Sequence, residues 1–349
     1  MNFGQILNDE VVGFLGIGGV LDLARKGDYS VLATWDGWTR ALAPLVPLLL
    51  LIELTVTLAR GQFRRDFYRM TFGIYIFNRV VGRFISLGAI AFCIGLVQPL
   101  APFRVGFTWY GLLYGYLVWE FSHFLYHYWA HKVRLLWCLH STHHTPRAMN
   151  LMVSNAHFFL EAPYADVVRT SVCMAAGLEP TLLFAIMFID GTWGALIHIG
   201  ERMWPSARMG WFGALVLTPA HHRVHHARNP LYMDTNFCNL LNIWDRLFGT
   251  YQNARVDIAI EYGITRQMNP DSFADVYFGE FAALWRDLRA APGARNKLLY
   301  LVMPPGWNHE GKHTTAVAVR SAFLQRQSLN EATRSHHRYQ PYSVTPPRP

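Results

Sequence analysis

The sequence is poor in charged residues. Asp, Glu, Lys and Arg together make up 15% of its 349 residues, whereas about 25% is usual for soluble domains. Hydrophobic residues account for 52%, and they cluster in runs. This composition excludes a disordered protein, a collagen-like fibre and a charged coiled coil, and it argues against an ordinary soluble enzyme. The net charge of +8 suits anionic lipid headgroups, and we expect no nucleic acid partner for a chain this apolar.

Several common motifs are missing from the sequence. The four cysteines are far apart and form no CxxC pair, so neither a disulfide framework nor a zinc ribbon is indicated. There is no HExxH motif of a zinc protease and no CxxCH motif of c-type haem. Gly16-Ile17-Gly18 begins like a dinucleotide-binding loop, but Leu21 replaces the last glycine, and no strand pattern surrounds it.

The apolar runs predict an all-α integral membrane protein with four to five transmembrane helices. A span needs about 17–25 mostly apolar residues, and residues 41–59, 84–101 and 105–126 meet that length. A fourth run, residues 165–199, is interrupted by Gly and Pro within 177–180, which indicates a hairpin of two helices.

Basic loop residues predict the orientation of these spans. Residues 60–83 contain six arginines and one aspartate, whereas the first 40 residues have three basic and five acidic side chains. Basic loops stay cytoplasmic, so the N-terminus is expected outside and the histidine-rich part inside. No signal peptide is expected, because the first residues lack a basic n-region and a clear cleavage site, and the protein is predicted to be multi-pass with a cytoplasmic histidine-rich helical cap.

Histidine is the residue type in clear excess, because twelve of the sixteen histidines lie between positions 123 and 226. They form three clusters at helical spacing, in which residues three or four apart share one face. The clusters are His123, His127 and His131; His140, His143 and His144; and His221, His222, His225 and His226.

Metal binding explains these clusters better than hydrogen bonding alone, because many neighbouring imidazoles would repel one another if protonated. Neutral imidazole is a ligand for Zn, Fe, Cu and Ni. Eight histidines divided between two ions leave positions open for exchangeable ligands, as dioxygen activation requires. Two other classes stay open: a membrane metal-binding or metal-transport protein, and a bis-histidine haem protein, which needs only two of the rings.

The order HxxxH, HxxHH, HxxHH in a short membrane chain resembles the sterol desaturase/fatty acid hydroxylase superfamily. The stretch from His127 to His144 is similar to that family's first two histidine boxes, and Thr218 to His226 is similar to its third. Asp234-Thr-Asn236 and the segment from Trp244 to Tyr251 are similar to its closing region. Pro304-Pro-Gly-Trp307 is similar to the tail of bacterial members. Together with the basic loops and the lack of a fused cytochrome b5 domain, this resemblance favours a bacterial inner membrane.

The resemblance implies a non-haem dimetal oxidase, most often with two iron ions, although zinc can occupy such a site in isolated protein. Dioxygen would be the co-substrate, and two electrons would come from an external ferredoxin- or cytochrome-type donor, since the chain has no haem domain or flavin motif of its own. The reaction would hydroxylate a C–H bond of a membrane lipid, or desaturate a lipid or sterol at the same kind of site. Ornithine lipids, fatty acyl chains, sterols and alkylglycerols all remain open as substrates.

The residue set implied for the metal ions has nine members: His127, His131, His140, His143, His144, His198, His222, His225 and His226. His123 and His157 are equally consistent with a ligand and with a side chain that orients a ligand, and His221 is expected outside the set. Glu120, Asp234, Asn236 and Asp245 are predicted to support the ligands.

The domain organisation follows from these segments. An N-terminal region with two spans (1–104) is followed by the catalytic domain (105–255). A helical extension (256–312) and a disordered tail (313–349) come after that domain. Apolar residues from Phe273 to Leu288 fall on one helix face, which either packs over the metal domain or lies on the membrane.

Overall fold

The computed structural model describes residues 3–27, 30–81 and 85–338, and in these ranges the protein is all-α, as predicted. Three isolated β-bridges are present in this part of the chain, and it contains no β-strand. The helices are α1 (Phe3–Leu15), α2 (Gly18–Lys26), α3 (Trp35–Leu42), α4 (Leu45–Ala59), α5 (Arg65–Val81), α6 (Ile85–Val97), α7 (Trp109–Lys132), α8 (Arg134–His144), α9 (Glu161–Ala175), α10 (Pro180–Leu196), α11 (Pro219–His225), α12 (Ile243–Leu247), α13 (Phe273–Ala290), α14 (Gly293–Val302) and α15 (Ala316–Arg338). Short 3₁₀ segments occupy Ser30–Ala33, Gln98–Leu100, Leu151–Asn155 and Gly210–Ala214.

The predicted hairpin is formed by α9 and α10, and Gly177 lies in the turn between them with φ +81°. A Cβ atom at this position would lie 2.5 Å from the carbonyl oxygen of Phe103, so only glycine fits without a shift. Val105 donates its N–H to the carbonyl of Gly177 at 2.7 Å and accepts from Glu179 at 3.0 Å. These bonds attach the hairpin turn to the segment that leads into α7.

The core that holds this hairpin lies between α7, α9 and α10. Its fully or almost fully buried side chains are Tyr116, Trp119, Cys173, Met174, Leu178, Leu182, Leu183 and Ile186. Gly115 allows α10 to approach α7 closely, because a Cβ there would lie 2.8 Å from the Cδ1 atom of Ile186. The histidine-bearing end of α7 is therefore carried by a tightly packed three-helix unit.

One helical region in the described ranges, Trp35–Ala59, is long and apolar enough to cross a membrane by itself. A second would be counted if Tyr68–Val81 and Ile85–Leu100, bent by 58°, formed one span. α7 has 24 residues but carries buried polar side chains, and α10 has 17. The predicted number of four to five spans therefore stays a prediction, and Phe84, where one of them was expected to begin, lies outside the described residues.

The single charge in the first predicted span has a structural role. Glu53 on α4 is buried and accepts the backbone N–H groups of Leu151 at 2.9 Å and Gly200 at 3.1 Å. A carboxylate that satisfies two buried amides compensates much of its own desolvation. It joins α4 to the segments that follow α8 and α10.

The C-terminal helices cover the histidine-rich region. Val276, Tyr277 and Leu284 of α13 are buried, so this face packs over the protein rather than lying on a membrane, whereas Trp285 on its other side is exposed. Where a disordered tail was predicted from residue 313, the structure has α15, and Phe323 packs beside the buried cluster that contains Val224 and Tyr232. Residues 339–349 of that tail lie outside the described residues.

Leu182→Ala tests the helical core. Leu182 is fully buried on α10, so the substitution leaves a cavity and should lower the free energy of unfolding by about 2–5 kcal/mol. Leu113→Ala on the exposed face of α7 is the matched control, expected within about 0.5 kcal/mol of the native protein. Denaturation of the detergent-solubilised protein measures both, and equal effects would contradict this packing.

Candidate metal centre

Two helices that meet at a sharp corner carry five of the predicted histidines. α7 and α8 are separated by one residue, Val133, whose extended conformation (φ −116°, ψ 117°) breaks the helix. Spacings of three and four residues direct the side chains on each helix to one face. These side chains are His127 and His131 on α7, and His140, His143 and His144 on α8.

The other four predicted histidines come from α11 and from the end of α10. α11 has only seven residues, and a capping box stabilises its first turn: Thr218 accepts the N–H of His221, whose Nδ1 accepts the N–H of Thr218 at 3.1 Å. Pro219 occupies the first turn, where the lack of an N–H has no cost. His222, His225 and His226 project from this helix, and His198 follows α10.

The structure brings all nine predicted residues together in two adjoining groups. In each group the ligand atoms lie within 4.8 Å of one another, and every member is buried. The first group is His127, His131, His140, His144 and His225, and the second is His143, His198, His222 and His226. The division is thus five and four, whereas the sequence suggested eight histidines shared about equally, with His198 in addition.

Hydrogen bonds determine which ring nitrogens face the centre of each group. His127 donates from Nδ1 to the carbonyl of Phe237 at 2.9 Å, and His225 donates from Nδ1 to the carbonyl of Thr235 at 2.8 Å. His198 does the same to the carbonyl of Gly194 at 2.6 Å. Because a carbonyl oxygen can only accept, Nδ1 carries the proton in these neutral rings and Nε2 has a free lone pair.

The Nε2 atoms of neighbouring histidines lie close together within each group. The Nε2 atoms of His127 and His140 are 3.1 Å apart, and those of His198 and His222 are 2.9 Å apart. The Nε2 atoms of His131 and His225 are buried without a hydrogen-bond partner. Two nitrogens bound at right angles to one ion at about 2.1 Å are separated by about 3.0 Å, so the donor set fits metal ions.

Burial keeps the rings neutral. Removal from water is the largest effect that lowers the pKa of His144 and of His226 far below the usual imidazole value, and the neighbouring histidines lower it further. A neutral ring is the form that can bind a metal ion.

A strap at residues 234–240 supplies several of the groups that orient the rings. Asp234 lies with Oδ1 3.3 Å from Nδ1 of His131 and also bonds Lys132. The carbonyls that accept from His225 and His127 belong to the same strap. Its path includes two residues with positive φ, Asp234 (56°) and Asn236 (58°), a conformation that Asp and Asn adopt more readily than other non-glycine residues.

Two buried carboxylates hold the strap in place. Asp245 accepts the N–H groups of Phe237 and Cys238, each at 2.8 Å. Glu120 on α7 accepts the N–H groups of Asn239 and Leu240. Glu120 and Asp245 were predicted to support the ligands, and they act through the backbone of this strap rather than by touching an imidazole.

Asn236, another predicted supporting residue, stabilises the surroundings of α11. Its side-chain amide donates to the carbonyls of His221 and Gln252, and its oxygen accepts the N–H of Gln252 at 2.8 Å. It therefore joins the end of the strap to the helix of the third histidine cluster.

Glu161, which sequence reasoning missed, contacts two histidines at once. Its Oε1 lies 2.6 Å from Nδ1 of His140, and its Oε2 lies 2.8 Å from Nδ1 of His157. Burial by itself would raise the pKa of Glu161, but the two imidazoles outweigh this effect and the pKa is lowered to about 2. The carboxylate therefore accepts from His140, whose Nε2 is then free; the (i, i+4) spacing from His157 was the signal available in the sequence.

The three remaining histidines of this region lie outside both groups. His157 stacks on the ring of His143, with 4.2 Å between centroids, and contacts Glu161. His123 lies with Nδ1 3.7 Å from Oδ2 of Asp190 and edge-on to His127. His221, expected outside the set, caps α11 and contacts Tyr251 and Asn253.

Cavities border the histidine groups on two sides. The first has a volume of about 730 Å³ and reaches His127, His143 and His198, with α4, α5, α9 and α10 contributing to its wall. The second has a volume of about 640 Å³ and reaches His131, His144 and His226, with α13 and the 304–306 segment in its wall. Members of both groups are therefore accessible from either cavity.

Comparison with known proteins finds one matching family model and several relatives with a similar sequence. The fatty acid hydroxylase family model matches residues 112–250, which contain all nine histidines. Alkylglycerol monooxygenase of Xenopus tropicalis is 29% identical over 206 residues, which cover 59% of this chain and 44% of that protein. Ornithine lipid hydroxylase of Rhizobium tropici is 26% identical over 151 residues, 43% of this chain and 44% of the relative.

A delta(7)-sterol 5(6)-desaturase of Candida glabrata is also similar, with 26% identity over 129 residues, 37% of this chain and 32% of the relative. The chain thus matches less than half the length of these relatives. No solved structure matches. The family-model match and these relatives confirm the resemblance of this chain to the sterol desaturase/fatty acid hydroxylase superfamily that its histidine motifs indicate.

Proposed function

We propose that this protein is a membrane-bound oxygenase that hydroxylates a C–H bond of a membrane lipid. The observation that carries the proposal is the convergence of imidazole Nε2 atoms in two adjoining buried groups. The names of the relatives, alkylglycerol monooxygenase and ornithine lipid hydroxylase, support a lipid as the substrate.

The first group would hold one metal ion through five imidazoles, and the second would hold another through four. Nitrogen-rich sites of this kind suit iron, and zinc fits the same donors in isolated protein. When bound, two iron ions supply the activation of dioxygen. Asp234, Glu161 and the carbonyls of Thr235 and Phe237 fix the rings so that Nε2, and not Nδ1, is presented.

The first cavity is the proposed lipid site. Val46 of the candidate membrane span lines one part of it, and Phe158, Phe159, Met187 and Phe188 line others, so an acyl or alkyl chain finds apolar walls next to the histidines. Its volume of about 730 Å³ lies within the usual range for ligand sites. These walls also keep water from the reacting C–H bond.

The reaction balances with one dioxygen, two electrons and two protons. One oxygen atom enters the C–H bond as a hydroxyl group, and the other leaves as water. The electrons come from a separate ferredoxin- or cytochrome-type carrier. Multi-pass insertion in a bacterial inner membrane, with the histidines on the cytoplasmic face, belongs to the same proposal.

Two alternative functions are a desaturase and a metal-transport or metal-storage protein. A desaturase would use the same centre and remove a second hydrogen from the lipid, and similarity to a sterol desaturase favours this alternative. A metal-transport or metal-storage protein would need a series of sites along a path, whereas the nine histidines converge in two adjoining groups.

A double variant, His143→Ala with His225→Ala, removes one ligand from each group and should abolish the activity. We expect a lipid class of an aerobic bacterial host to gain one oxygen atom with the native chain and none with the variant. Mass spectrometry of total lipids measures the product, and the product should also be absent without dioxygen.

His313→Ala is the control for that experiment, because His313 is exposed and far along the chain from both groups. A lipid that loses two hydrogen atoms, instead of gaining one oxygen atom, would favour the desaturase. Purified native protein that binds metal but takes up no dioxygen with lipid and reductant present would contradict the oxygenase and favour metal storage.

Glu161→Gln tests the role of the residue that the sequence did not reveal. Loss of the negative charge beside His140 should weaken metal binding by about 10–100-fold, as for other residues that orient metal ligands. Metal content after dialysis against graded chelator measures the change. Glu310→Gln on the surface is the matched control, and equal retention of metal by both variants would count against the assigned role.

A further inference from the structure

An exposed apolar surface lies next to α7, on two segments that flank the third histidine cluster along the chain. The first segment, 210–217, precedes α11, and the second, 240–248, follows the strap. Their exposed side chains are Trp211, Phe212, Leu215, Ile243, Leu247 and Phe248. Leu247 is 67% and Trp211 71% exposed, so this apolar surface is large for a protein face that meets water.

The two segments form one rigid unit. The N–H of Leu217 donates to the carbonyl of Leu240 at 2.6 Å, and the N–H of Asn242 donates to the carbonyl of Leu215 at 3.1 Å. Asn242 also bonds the carbonyl of Val216 through its side chain. The apolar side chains are therefore held outward by a bonded backbone and are not a loose loop.

Contacts with α7 give the position of this unit along the bundle. The indole of Trp244 donates to the carbonyl of Leu117 at 3.3 Å, and Phe248 stacks on Phe124 with 5.0 Å between centroids. Leu117 and Phe124 precede His127 by ten and three residues, which is about 15 Å and 4.5 Å along a helix. The apolar surface therefore lies beside the part of α7 that leads away from the histidines.

The same part of α7 has its own exposed apolar strip. Trp109, Leu113 and Leu117 follow one another at four-residue spacing, and all are exposed. The strip runs into the surface formed by residues 210–217 and 240–248 at Leu117. Together they make one apolar band beside α7.

Charges are absent from the middle of the band and occur at its edge. Residues 209–218 contain no charged side chain. Asp245 is fully buried, with its carboxylate bonded to the strap. The guanidinium of Arg246 lies 4.0 Å from the centroid of the Tyr251 ring, and its Nε donates to Oδ1 of Asn242 at 2.9 Å. Trp, Phe and Leu beside an edge cation are the composition of a membrane-interface surface.

The neighbouring candidate span points to the same boundary. Arg60, which ends α4, donates to the carbonyl of Arg202 at 3.1 Å, so the end of the span lies against the segment that leads to residue 210. The apolar surface and the end of the span are therefore joined through a short stretch of chain.

We propose that residues 210–217 and 240–248 form an anchor that inserts into one leaflet of the lipid bilayer beside α7. The inference rests on the proposed membrane-bound function, and it adds a second lipid contact that no spanning helix provides. Because residues 210–217 lead directly into α11 and Asp245 is bonded to the strap, the anchor would set the depth of the metal centre at the bilayer surface.

Site-directed fluorescence tests the anchor in full-length protein reconstituted into phosphatidylcholine–phosphatidylglycerol vesicles. All four native cysteines are buried, so an environment-sensitive label can be placed at Leu215→Cys or Leu247→Cys. We expect blue-shifted emission, strong quenching by spin-labelled lipid and little quenching by aqueous iodide. Leu51→Cys on the candidate span should behave in the same way.

Val256→Cys is the aqueous control, because Val256 is 89% exposed on a loop outside the band and should be quenched by iodide. If iodide quenches the labels at positions 215 and 247 as it quenches the label at 256, while spin-labelled lipid quenches the label at 51, the proposed anchor is contradicted. The proposed membrane attachment would still be supported. Shielding from both quenchers would indicate a second protein copy on this surface and would also overturn the anchor. Exposure of 51 to iodide would contradict the membrane attachment itself.

Discussion

The repulsion between facing imidazole lone pairs is the constraint on which the rest of this structure depends. His127, His198 and His225 each donate a hydrogen bond from Nδ1 to a carbonyl oxygen. Their Nε2 atoms therefore carry no proton and cannot act as donors. Buried nitrogens held about 3 Å apart in this state are costly unless a cation lies between them. The surrounding fold acts to maintain this arrangement.

Much of the chain outside the histidines serves that purpose. The strap presents carbonyls and Asp234 to three rings, and Asp245 and Glu120 hold the strap by its backbone N–H groups. Glu161 performs the same task for His140 from another helix. Buried acids are common here because each one satisfies donors that no helix or sheet would satisfy.

The two sides of the centre have different surroundings. The first cavity is bordered by helices that include the candidate span, and the second lies under α13 and the 304–306 segment. The proposed lipid chain and its co-reactants would therefore approach different members of the two histidine groups from different directions.

The sequence by itself predicted the three histidine clusters and the hairpin break, because helical spacing and Gly–Pro turns are local properties of the chain, whereas His198 was added only by the family resemblance. It could not divide the rings into groups of five and four. His225 of α11 lies in the group with the histidines of α7 and α8, and His143 of α8 lies in the group with the histidines of α11 and the end of α10. It also missed Glu161 and the helix Ala316–Arg338, and it left the packing of α13 open. These depend on which distant segments become neighbours, and only the tertiary structure decides that.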